Sequence, residues 1–502
     1  MRILTASQIR QVEENAFKGN CTEEGLMKLA GTACFHKIRK YYGDGIENKT
    51  VSIVCGNGKN AGDGFVIADL LSQKGVRTDI VLADKEPDSP ITEPYFQAAL
   101  ASGASVSHFE EYDFSEADII IDSIFGIGFH GEPRPPFNAV FDAVNSADAI
   151  VISIDTPSGT DATTGAVVHA VKADMTIAIS TLKFAHVLPP ANDYCGKVVT
   201  VNIGIPEACY EGPYVHTITK SDVTKNFVAR NKNAHKGSCG HQLNICGSYL
   251  MPGAAVICAN SSLRTGIGLL KCAFPKSIYS VMTTNLTQPI FKPLCENENK
   301  TISIGAVNDI FDDLKWADSV AIGCGLGNND DTQVIVGQVI KNSEVPVVLD
   351  ADGINAIVPF IDIIKDKKAP LVITPHPAEM ARLIGEDTCY VQSNRMDVAK
   401  AFATENDVIV VLKGANTIVT DGQDVFVNTT GNSGMAMAGS GDMLTGMIAS
   451  FIAQGIAPVD AAKSAVYIHG QCGDITAAEL SQRGMTVNDM ISLLGALMSD
   501  YE

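Results

Sequence analysis

Several features are missing from this 502-residue sequence, and each absence excludes a class of protein. No apolar run reaches the roughly 18 residues that a membrane span requires, which excludes an integral membrane protein. Charges appear too early in the first residues for a signal peptide, so we expect a cytoplasmic protein. The 13 cysteines form no C-x-x-C pair and no zinc-ligand spacing, so we expect most of them to be buried thiols.

Positive charge is also scarce. Lysine and arginine number 37 against 57 aspartates and glutamates, which gives a net charge of −20 and argues against nonspecific nucleic-acid binding. This balance does not exclude an anionic small-molecule ligand, because backbone amides can bind phosphate locally. The chain is too long for one ordinary core, so its length predicts two or more domains.

Short apolar runs recur along the chain in two series. The second series begins near residue 241 and ends in helical sequence from 441 to 500, and the first has runs at 51–55, 78–83, 117–125, 149–155, 175–180 and 197–203. Apolar strands that alternate with helices predict an α/β fold with buried parallel sheets, which bind ligands at the carboxyl ends of their strands. The connecting segment places a boundary within 208–232, and we predict domains over 1–215 and 225–502.

A glycine-rich segment, GNGKNAGDG (56–64), follows the first apolar run and precedes a helix-like stretch. The order strand, glycine loop and helix is typical of phosphate binding, although a tight strand-to-helix turn would give the same pattern. It is not a Walker A loop, because Lys59 does not precede a serine or threonine.

A second glycine pattern, G-x-G-x-x-G, occurs at Gly126, Gly128 and Gly131 after an apolar run. The prolines of the following segment, EPRPPF (132–137), do not suit a helix directly after the glycines. We therefore exclude the classical dinucleotide fingerprint here, whereas a glycine loop that covers a ligand stays possible.

Two ionisable residues follow neighbouring predicted strands. Asp155, in SIDTPSGTDATTG (153–165), ends an apolar run where a catalytic carboxylate of a parallel sheet would lie, although an Asx-type turn is the alternative. Lys183, in STLKFAH (180–186), follows the next run. A carboxylate and an amine at adjacent strand ends form a suitable acid–base pair.

These four motifs, in this order, resemble the YjeF N-terminal family, the NAD(P)HX epimerases, over residues 1–210. The resemblance implies a Rossmann-like domain that binds hydrated NAD(P)H. It implies K⁺ ligation by Asn60, Asp122 and Ser158, whose oxygen atoms suit such a hard cation. It implies that the substrate contacts Lys59, Asn60, Ala61, Gly62, Asp63, Gly126, Ile127, Gly128, Phe129, His130, Gly131, Glu132 and Asp155.

The second half contains GNSGMAMAGSGDMLTG (431–446), which is almost entirely small residues with one acid, Asp442. Apolar residues then recur at helical spacing, so Gly439, Ser440 and Gly441 are predicted to offer amides at a helix N-terminus, where anions bind. Asp442 could accept a proton from a substrate hydroxyl while the amides stabilise a transferring phosphoryl group. The alternative is a plain N-cap aspartate.

Other predicted strand ends carry GCGLGN (323–328), LDADGIN (349–355), TPHPAEM (374–380) and KGANT (413–417). Together with HKGSCGHQLNICGS (235–248), they resemble the ribokinase-like YjeF C-terminal family, the NAD(P)HX dehydratases, over residues 225–500. Two positions depart from the usual pattern of that family. Cys324 stands where proline is usual, and Gly353 stands where alanine is usual.

This second resemblance implies repair of hydrated NADH and NADPH, the hydrates being NADHX and NADPHX. The fused arrangement looks bacterial, which implies ADP with Mg²⁺ as the phosphoryl donor and the S epimer as the substrate. The resemblance implies hydrated-nicotinamide contacts at Ala254, Gly325, His376 and Asp442. It implies nucleotide contacts at Lys413, Gly414, Ala415, Asn416, Thr417 and Gly441, and the helix start adds Gly439 and Ser440.

We therefore expect a bifunctional, homo-oligomeric enzyme in which Asp442 activates the hydroxyl for phosphorylation. Asp155 and Lys183 are expected to handle protons while the R and S epimers interconvert. Two alternatives stay open at this stage. The second half could be a kinase for a vitamin precursor or a sugar, because fold alone does not decide function. The first half could be a binding module without activity.

Overall fold

The computed structural model describes residues 1–19 and 21–502, which form two compact units, Met1–Val215 and His216–Glu502. Each unit is an α/β structure, as the alternation of strands and helices predicts. Within the described residues, no helix combines the length and the apolar character needed to cross a membrane.

The described residues of the first unit form nine strands and five α-helices. The strands are β1 (Arg2–Leu4), β2 (Thr50–Cys55), β3 (Arg77–Leu82), β4 (Ser105–His108), β5 (Ile119–Ser123), β6 (Ile150–Ile154), β7 (Met175–Ile179), β8 (Leu182–Lys183) and β9 (Lys197–Val201). The helices are α1 (Ala6–Phe17), α2 (Glu23–Tyr42), α3 (Lys59–Ser72), α4 (Glu93–Ala101) and α5 (Phe137–Ser146).

Seven of these strands form a parallel sheet in the order β4-β3-β2-β5-β6-β7-β9. Successive residues of β2 point to opposite faces, so Ile53 joins the apolar core with α2 and α3 while Val54 joins the core with α5. The direction of strand succession reverses between β2 and β5, and ligands bind outside the carboxyl ends of strands at such a switch point. β1 pairs with β8 in parallel, with Leu4 opposite Lys183.

The second unit follows β10 (Val215–Thr217), where the chain passes from one unit to the next. Its further strands are β11 (His241–Ile245), β12 (Leu269–Pro275), β13 (Ile290–Leu294), β14 (Ser319–Ile322), β15 (Val347–Leu349), β16 (Leu371–Ile373), β17 (Ile409–Leu412), β18 (Ile418–Thr420) and β19 (Val425–Val427). Its helices are α6 (Lys220–Thr224), α7 (Pro252–Arg264), α8 (Tyr279–Asn285), α9 (Val307–Leu314), α10 (Asp330–Asn342), α11 (Asp352–Ile357), α12 (Pro377–Ile384), α13 (Thr388–Ser393), α14 (Arg395–Asn406), α15 (Ser440–Ala453), α16 (Pro458–Leu480) and α17 (Val487–Leu497).

Strands β13-β12-β11-β14-β15-β16-β17 are parallel, and β18 and β19 continue the sheet in antiparallel orientation. The strand order reverses between β11 and β14, which again places a ligand-binding crevice at their carboxyl ends. Helix α15 is buried from Met443 to Ala453 in the core that it shares with α7 and α16. Its first turn, which carries Asp442, stays partly exposed.

Candidate active sites

The first unit encloses a cavity of about 710 Å³ at the carboxyl end of its sheet. Its wall combines the start of α3, the loop after β5 and the residues that follow β6 and β7. Lys183 lines the cavity, and so do most of the predicted epimerase residues, namely Lys59, Asn60, Asp63, Gly126, Ile127, Gly128, Phe129, His130 and Asp155.

The remaining predicted residues lie beside the cavity rather than in its wall. Ala61 is buried in the core, and a Cβ at Gly62 would come within 2.2 Å of the sulfur of Met27, so both positions serve helix packing. Gly131 has a positive φ of 77°, and Glu132 follows it on the surface.

The predicted loop of residues 59–63 forms the first turn of α3 instead, because Gly58 already occupies the N-cap position. The same backbone amides thus belong to a helix N-terminus, which also binds anions. Helix α5 begins only at Phe137, beyond the prolines, and so confirms that no helix directly follows the second glycine pattern.

The centre of the first site is a buried ion pair. The Nζ atom of Lys183 donates to Oδ1 of Asp155 and to the carbonyl oxygens of Ile179, at 2.8 Å, and Thr181, at 3.2 Å. These acceptors use all three protons of the ammonium group. Ile179 N also donates to Oδ1, at 3.1 Å, so Oδ2 is the carboxylate oxygen left for a ligand in the cavity.

Asp155 is held by its main chain as well. Its φ is +70°, in the left-handed region that a non-glycine residue seldom adopts and that often marks functional sites. The ring of His186 stabilises this turn, because Nε2 lies 2.8 Å from the carbonyl oxygen of Asp155 while Nδ1 accepts from Lys183 N at 3.0 Å. Burial and the neighbouring Lys183 lower the pKa of His186 to about 4, so the ring is neutral.

Besides Asp155, three carboxyl groups line the same cavity, namely Glu13, Glu23 and Asp63, and two of them have raised pKa values. Burial raises the pKa of Asp63, and the charge of Asp155 raises it further. Burial and Asp155 also raise the pKa of Glu13, which belongs to α1. The cavity therefore favours the protonated forms of Asp63 and Glu13 beside the Asp155–Lys183 ion pair. Asp63 and Glu13 can then donate protons, whereas Asp155 can accept one.

Two of the predicted K⁺ ligands, Asp122 and Ser158, contact each other in the interior, and the third, Asn60, lines the cavity. Asp122 is fully buried and accepts hydrogen bonds from Ser158 N at 2.9 Å, Ser158 Oγ at 2.5 Å and Ser153 Oγ at 2.8 Å. Asn60 lies nearby, with Nδ2 donating to the carbonyl oxygen of Ile154 at 3.4 Å. Within the described part of the chain no cationic side chain pairs with Asp122, and burial raises its pKa. This environment of buried oxygen atoms suits an alkali cation.

In the second unit, adjacent strand ends converge on a second ion pair. Lys413 follows β17 and donates through Nζ to Oδ1 of Asp350, which follows β15, at 2.6 Å. Thr374 and Thr445 donate to the same carboxylate at 2.7 and 2.8 Å. Burial opposes the charge of Asp350, yet Lys413 and these hydroxyl groups lower its pKa, so the pair is ionised.

The start of α15 lies beside this pair. A Cβ built at Gly441 would be 3.3 Å from Nζ of Lys413 and 3.6 Å from Oδ2 of Asp350. The glycine therefore leaves space between the helix N-terminus and a lysine, two groups that both attract phosphate. Gly439, with a φ of +92°, is the N-cap residue and Asp442 is the third residue of the helix, so the alternative of an N-cap role for Asp442 is wrong.

Asp442 is the acid with the most altered pKa at this site. Burial, with the nearby Cys324 and Asp350, raises its pKa to about 9. A carboxyl group with such a pKa binds a proton strongly once it has been ionised, as a general base requires.

The other predicted dehydratase contacts lie around the same edge. A Cβ at Gly325 would be 2.9 Å from that of Ala254, so these two residues are neighbours. His376 caps α12, where its Nδ1 accepts from Ala378 N at 3.1 Å and from Glu379 N at 3.2 Å. Its Nε2 lies 3.4 Å from Oε1 of Glu379, and the ring is half-exposed, so a ligand can contact its outer edge.

The predicted nucleotide segment 413–417 is positioned by a residue that sequence reasoning missed. Arg395 is buried, and its Nη2 donates to the carbonyl oxygens of Leu412 at 3.2 Å and Lys413 at 3.3 Å. A Cβ at Gly414 would be 2.7 Å from its Nη1. Burial lowers the pKa of Arg395 to about 10. Arg395 is the first residue of α14, and no local motif indicates it.

Part of the small-residue segment that precedes α15 serves packing against α16. Gly470 and Gly473 of α16 allow close approach, since a Cβ would lie 2.2 Å from Thr430 Oγ1 and 2.3 Å from the sulfur of Met435 respectively. Asp474 then accepts from Gly431 N at 2.9 Å. Only part of the glycine-rich segment is therefore available to a ligand, so glycine content alone overestimates the length of the ligand site.

Two family models match this chain. Residues 23–185 match the model described as YjeF-related protein N-terminus, and residues 243–495 match the model for NAD(P)H-hydrate dehydratase. A solved ADP/ATP-dependent NAD(P)H-hydrate dehydratase from Bacillus subtilis, co-crystallised with ATP/Mg²⁺, is 27% identical with a TM-score of 0.50, over 57% of this chain and 99% of its own. A ribokinase-like superfamily protein from Enterococcus faecalis, 22% identical with a TM-score of 0.51 over 58% of this chain and 99% of its own, shares the fold.

Relatives that carry both halves match over nearly the whole length. Proteins named bifunctional NAD(P)H-hydrate repair enzyme from Moorella thermoacetica and Escherichia coli are each 31% identical to this chain. The alignments cover 100% and 94% of this chain, and 97% and 89% of the relatives. With both halves present in the same order, this chain belongs to the family of bifunctional NAD(P)H-hydrate repair enzymes.

Proposed function

We propose that this chain repairs hydrated NADH and NADPH. Residues 1–215 interconvert the R and S epimers, and residues 225–502 dehydrate the S epimer at the expense of ADP, giving AMP and phosphate. One observation carries the dehydratase proposal: Lys413, Asp350, Gly441 and Asp442 meet at the strand ends of one sheet. Membership of the repair family supplies the substrate class.

In the dehydration step, the hydroxyl group of the hydrated ring is made into a leaving group by phosphorylation. Asp442 takes the hydroxyl proton, and the oxygen attacks the terminal phosphoryl group of the nucleotide. Lys413 and the amides at the start of α15 stabilise the charge that develops on the transferring group. Departure of phosphate then restores the ring double bond.

Asp350 acts through Lys413. Its oxygen atoms already accept from Lys413, Thr374 and Thr445, so it fixes the position of the ammonium group rather than binding a ligand directly. The predicted nucleotide residues Gly414, Ala415, Asn416 and Thr417 follow Lys413 immediately and are exposed or half-buried, as a ligand-binding segment requires.

The residues present fit an Mg²⁺ ion that arrives with the nucleotide. Phosphate oxygens and water would supply most of the ligands, as Mg²⁺ prefers, so that Asp442 stays free to take the hydroxyl proton. The ion would offset negative charge on the phosphates.

In the first unit, the hydroxyl group next to the ring nitrogen leaves and returns from either face. Asp155 offers Oδ2 to the substrate and stabilises the positive charge on the ring. Asp63, whose raised pKa favours the protonated form, gives a proton to the leaving hydroxyl group. Lys183, whose protons are all bound by protein acceptors, holds Asp155 in position. A K⁺ ion held by Asn60, Asp122 and Ser158 would offset the buried charge of Asp122.

The test uses the full-length protein with a mixture of R- and S-NADHX, ADP and Mg²⁺. We expect the near-ultraviolet absorbance of NADH to return, and chromatography to show that both epimers disappear. Asp442→Asn is expected to slow dehydration by about a hundredfold, the usual contribution of a general base. Asp397→Asn is the matched control, because Asp397 is also the third residue of its helix, α14, and is exposed.

Asp155→Asn tests the epimerase half in the same assay. This variant should consume the S epimer and leave the R epimer, so that recovery of NADH stops early. Full consumption of both epimers at the unmodified rate would contradict the role of Asp155. Phosphorylation of a hydroxymethylpyrimidine with ATP, without action on NADHX, would instead support the kinase alternative, which the full-length relatives do not favour.

A cytoplasmic location follows from this substrate, since dihydronicotinamide cofactors are used there. Homo-oligomeric assembly stays a prediction, and light scattering of the full chain measures it.

A further inference from the structure

Three buried cysteines meet at the strand switch point of the second unit. Cys246 directly follows β11 and Cys324 lies two residues after β14, while Cys258 belongs to α7. The Sγ atoms of these residues, here called the thiol cluster, lie within 4.8 Å of one another. The backbone fixes two of them, because Gly247 N donates to the carbonyl oxygen of Cys324 at 2.8 Å.

The thiols have weak polar partners inside the protein. Cys246 Sγ lies 4.0 Å from the carbonyl oxygen of Ala321, and Cys324 Sγ lies 3.9 Å from Oδ2 of Asp350. Asn244 Nδ2 donates to Cys258 Sγ at 3.4 Å. The strongest interactions of the sulfurs are therefore with one another, and hydrogen bonds from the other two thiols lower the pKa of Cys246 to about 6.

The cluster adjoins the dehydratase site through Cys324. Its Sγ, a carboxylate oxygen of Asp350 and one of Asp442 also lie within 4.8 Å of one another. Asp350 is saturated by Lys413 and two hydroxyl groups, whereas Asp442 is partly exposed and open. Asp442 is therefore the member of this group that a cation from solvent meets first, since Cys324 and Asp350 are buried.

Three sulfurs form one group of possible ligands for a soft or borderline metal, and a carboxylate oxygen of Asp442 lies within 4.8 Å of one of them, Cys324 Sγ. In a tetrahedral zinc site with Zn–S bonds of about 2.3 Å, the sulfurs lie about 3.8 Å apart. The three sulfurs need to contract by no more than about 1 Å to reach that geometry, whereas the side chain of Asp442 has to turn from Asp350 towards Cys246 and Cys258 to complete it. Hard ions such as Mg²⁺ prefer oxygen ligands and would not compete for the sulfurs.

We propose that the thiol cluster binds a thiophilic divalent cation of the zinc type, with the carboxylate of Asp442 as the fourth ligand, and that bound metal stops dehydration. The cation replaces the protons that the three thiols and the carboxyl group of Asp442 still hold, these protons pass to solvent, and no oxidation takes place. Inhibition rests on the proposed role of Asp442, since a carboxylate that ligates a metal no longer accepts a proton. Metal binding itself does not depend on that role.

Binding is tested with Co²⁺ as a spectroscopic substitute for Zn²⁺ on the full-length, chelator-treated protein. We expect one Co²⁺ per chain with a sulfur-to-cobalt charge-transfer band, and loss of that band on addition of Zn²⁺. Cys258→Ala should abolish the band. Cys272→Ala is the matched control and should keep it, because Cys272 is a buried thiol of the same core on β12 but lies outside the cluster.

Activity supplies a second measurement. One equivalent of Zn²⁺ should slow dehydration by about a hundredfold, as loss of a general base predicts, while epimerisation by the same chain continues. The Cys258→Ala variant should resist this inhibition. A cobalt band without inhibition would retain the metal site and overturn the role of Asp442 as a ligand.

If the alanine variant does not fold, protection of the thiols from alkylation tests metal binding by the thiol cluster instead. In the unmodified protein, Zn²⁺ should protect Cys246, Cys258 and Cys324 from alkylation on brief denaturation, with Cys272 unprotected, as peptide mass spectrometry can show. Equal protection of all buried thiols, absence of a charge-transfer band, or the same band in Cys258→Ala would overturn the proposal and leave the cluster as ordinary apolar packing.

Discussion

The Lys183–Asp155 pair allows a quantitative test of the first site. Lys183→Met keeps the length of the side chain and removes its charge. The substitution leaves the Asp155 carboxylate and the carbonyl oxygens of Ile179 and Thr181 without their donor, in a place where Lys183 is 1% exposed. Removal of one partner from a buried ion pair costs about 3–5 kcal/mol in the free energy of unfolding.

For a unit of this size the expected loss corresponds to a fall in Tm of roughly 10 °C. Differential scanning calorimetry of the full chain is the assay.

Two variants separate the buried charge from simple packing. Asp155→Asn/Lys183→Met should recover more than half of the lost stability, because no charge is then left unpaired. Lys49→Met, which breaks an exposed pair with Asp118, should change stability by less than about 1 kcal/mol. If the double variant is as unstable as Lys183→Met alone, or if Lys183→Met behaves like Lys49→Met, the electrostatic reasoning is refuted.

Three further predictions concern the second site. The pKa of Asp442 is raised to about 9, so kcat/KM for dehydration should rise with pH from neutrality towards about pH 9, by up to tenfold per pH unit. A flat pH profile would contradict the role of Asp442 as a base. Gly441→Ala places a methyl group 3.3 Å from Nζ of Lys413 and should lower kcat by about tenfold or more through misplaced phosphate. Gly337→Ala, a helical control with an ordinary nearest contact of 3.4 Å, should leave kcat unchanged. Arg395→Gln should raise the KM for nucleotide about tenfold with a smaller effect on kcat, because it loosens residues 413–417. Steady-state kinetics measure both constants. A tenfold fall in kcat with an unchanged KM would contradict this positioning role and point to direct contact with the transferring group.

Sequence pattern predicted the α/β class because buried parallel strands leave continuous apolar runs, which need no long-range information to be read. It also placed Asp155, Lys183, Asp350 and Lys413 at strand ends, because each is the first ionisable residue after such a run. Which strands are neighbours is a long-range property, and pairing in the order β2-β5-β6-β7 is what brings the first two residues into one ion pair.

The residues that sequence reasoning missed act from a distance along the chain. Glu13 and Arg395 lie in segments without any motif, and His186 ends the STLKFAH segment without a role that local spacing indicates. Only folding brings these residues to a cavity wall, a nucleotide segment and a strained turn. The sequence by itself determined the order of the elements and the chemistry at their ends, because these depend on local composition and spacing. The tertiary structure alone decided which of those ends touch, which charges are buried and which thiols cluster, because burial and proximity depend on strands and helices that are far apart in the chain.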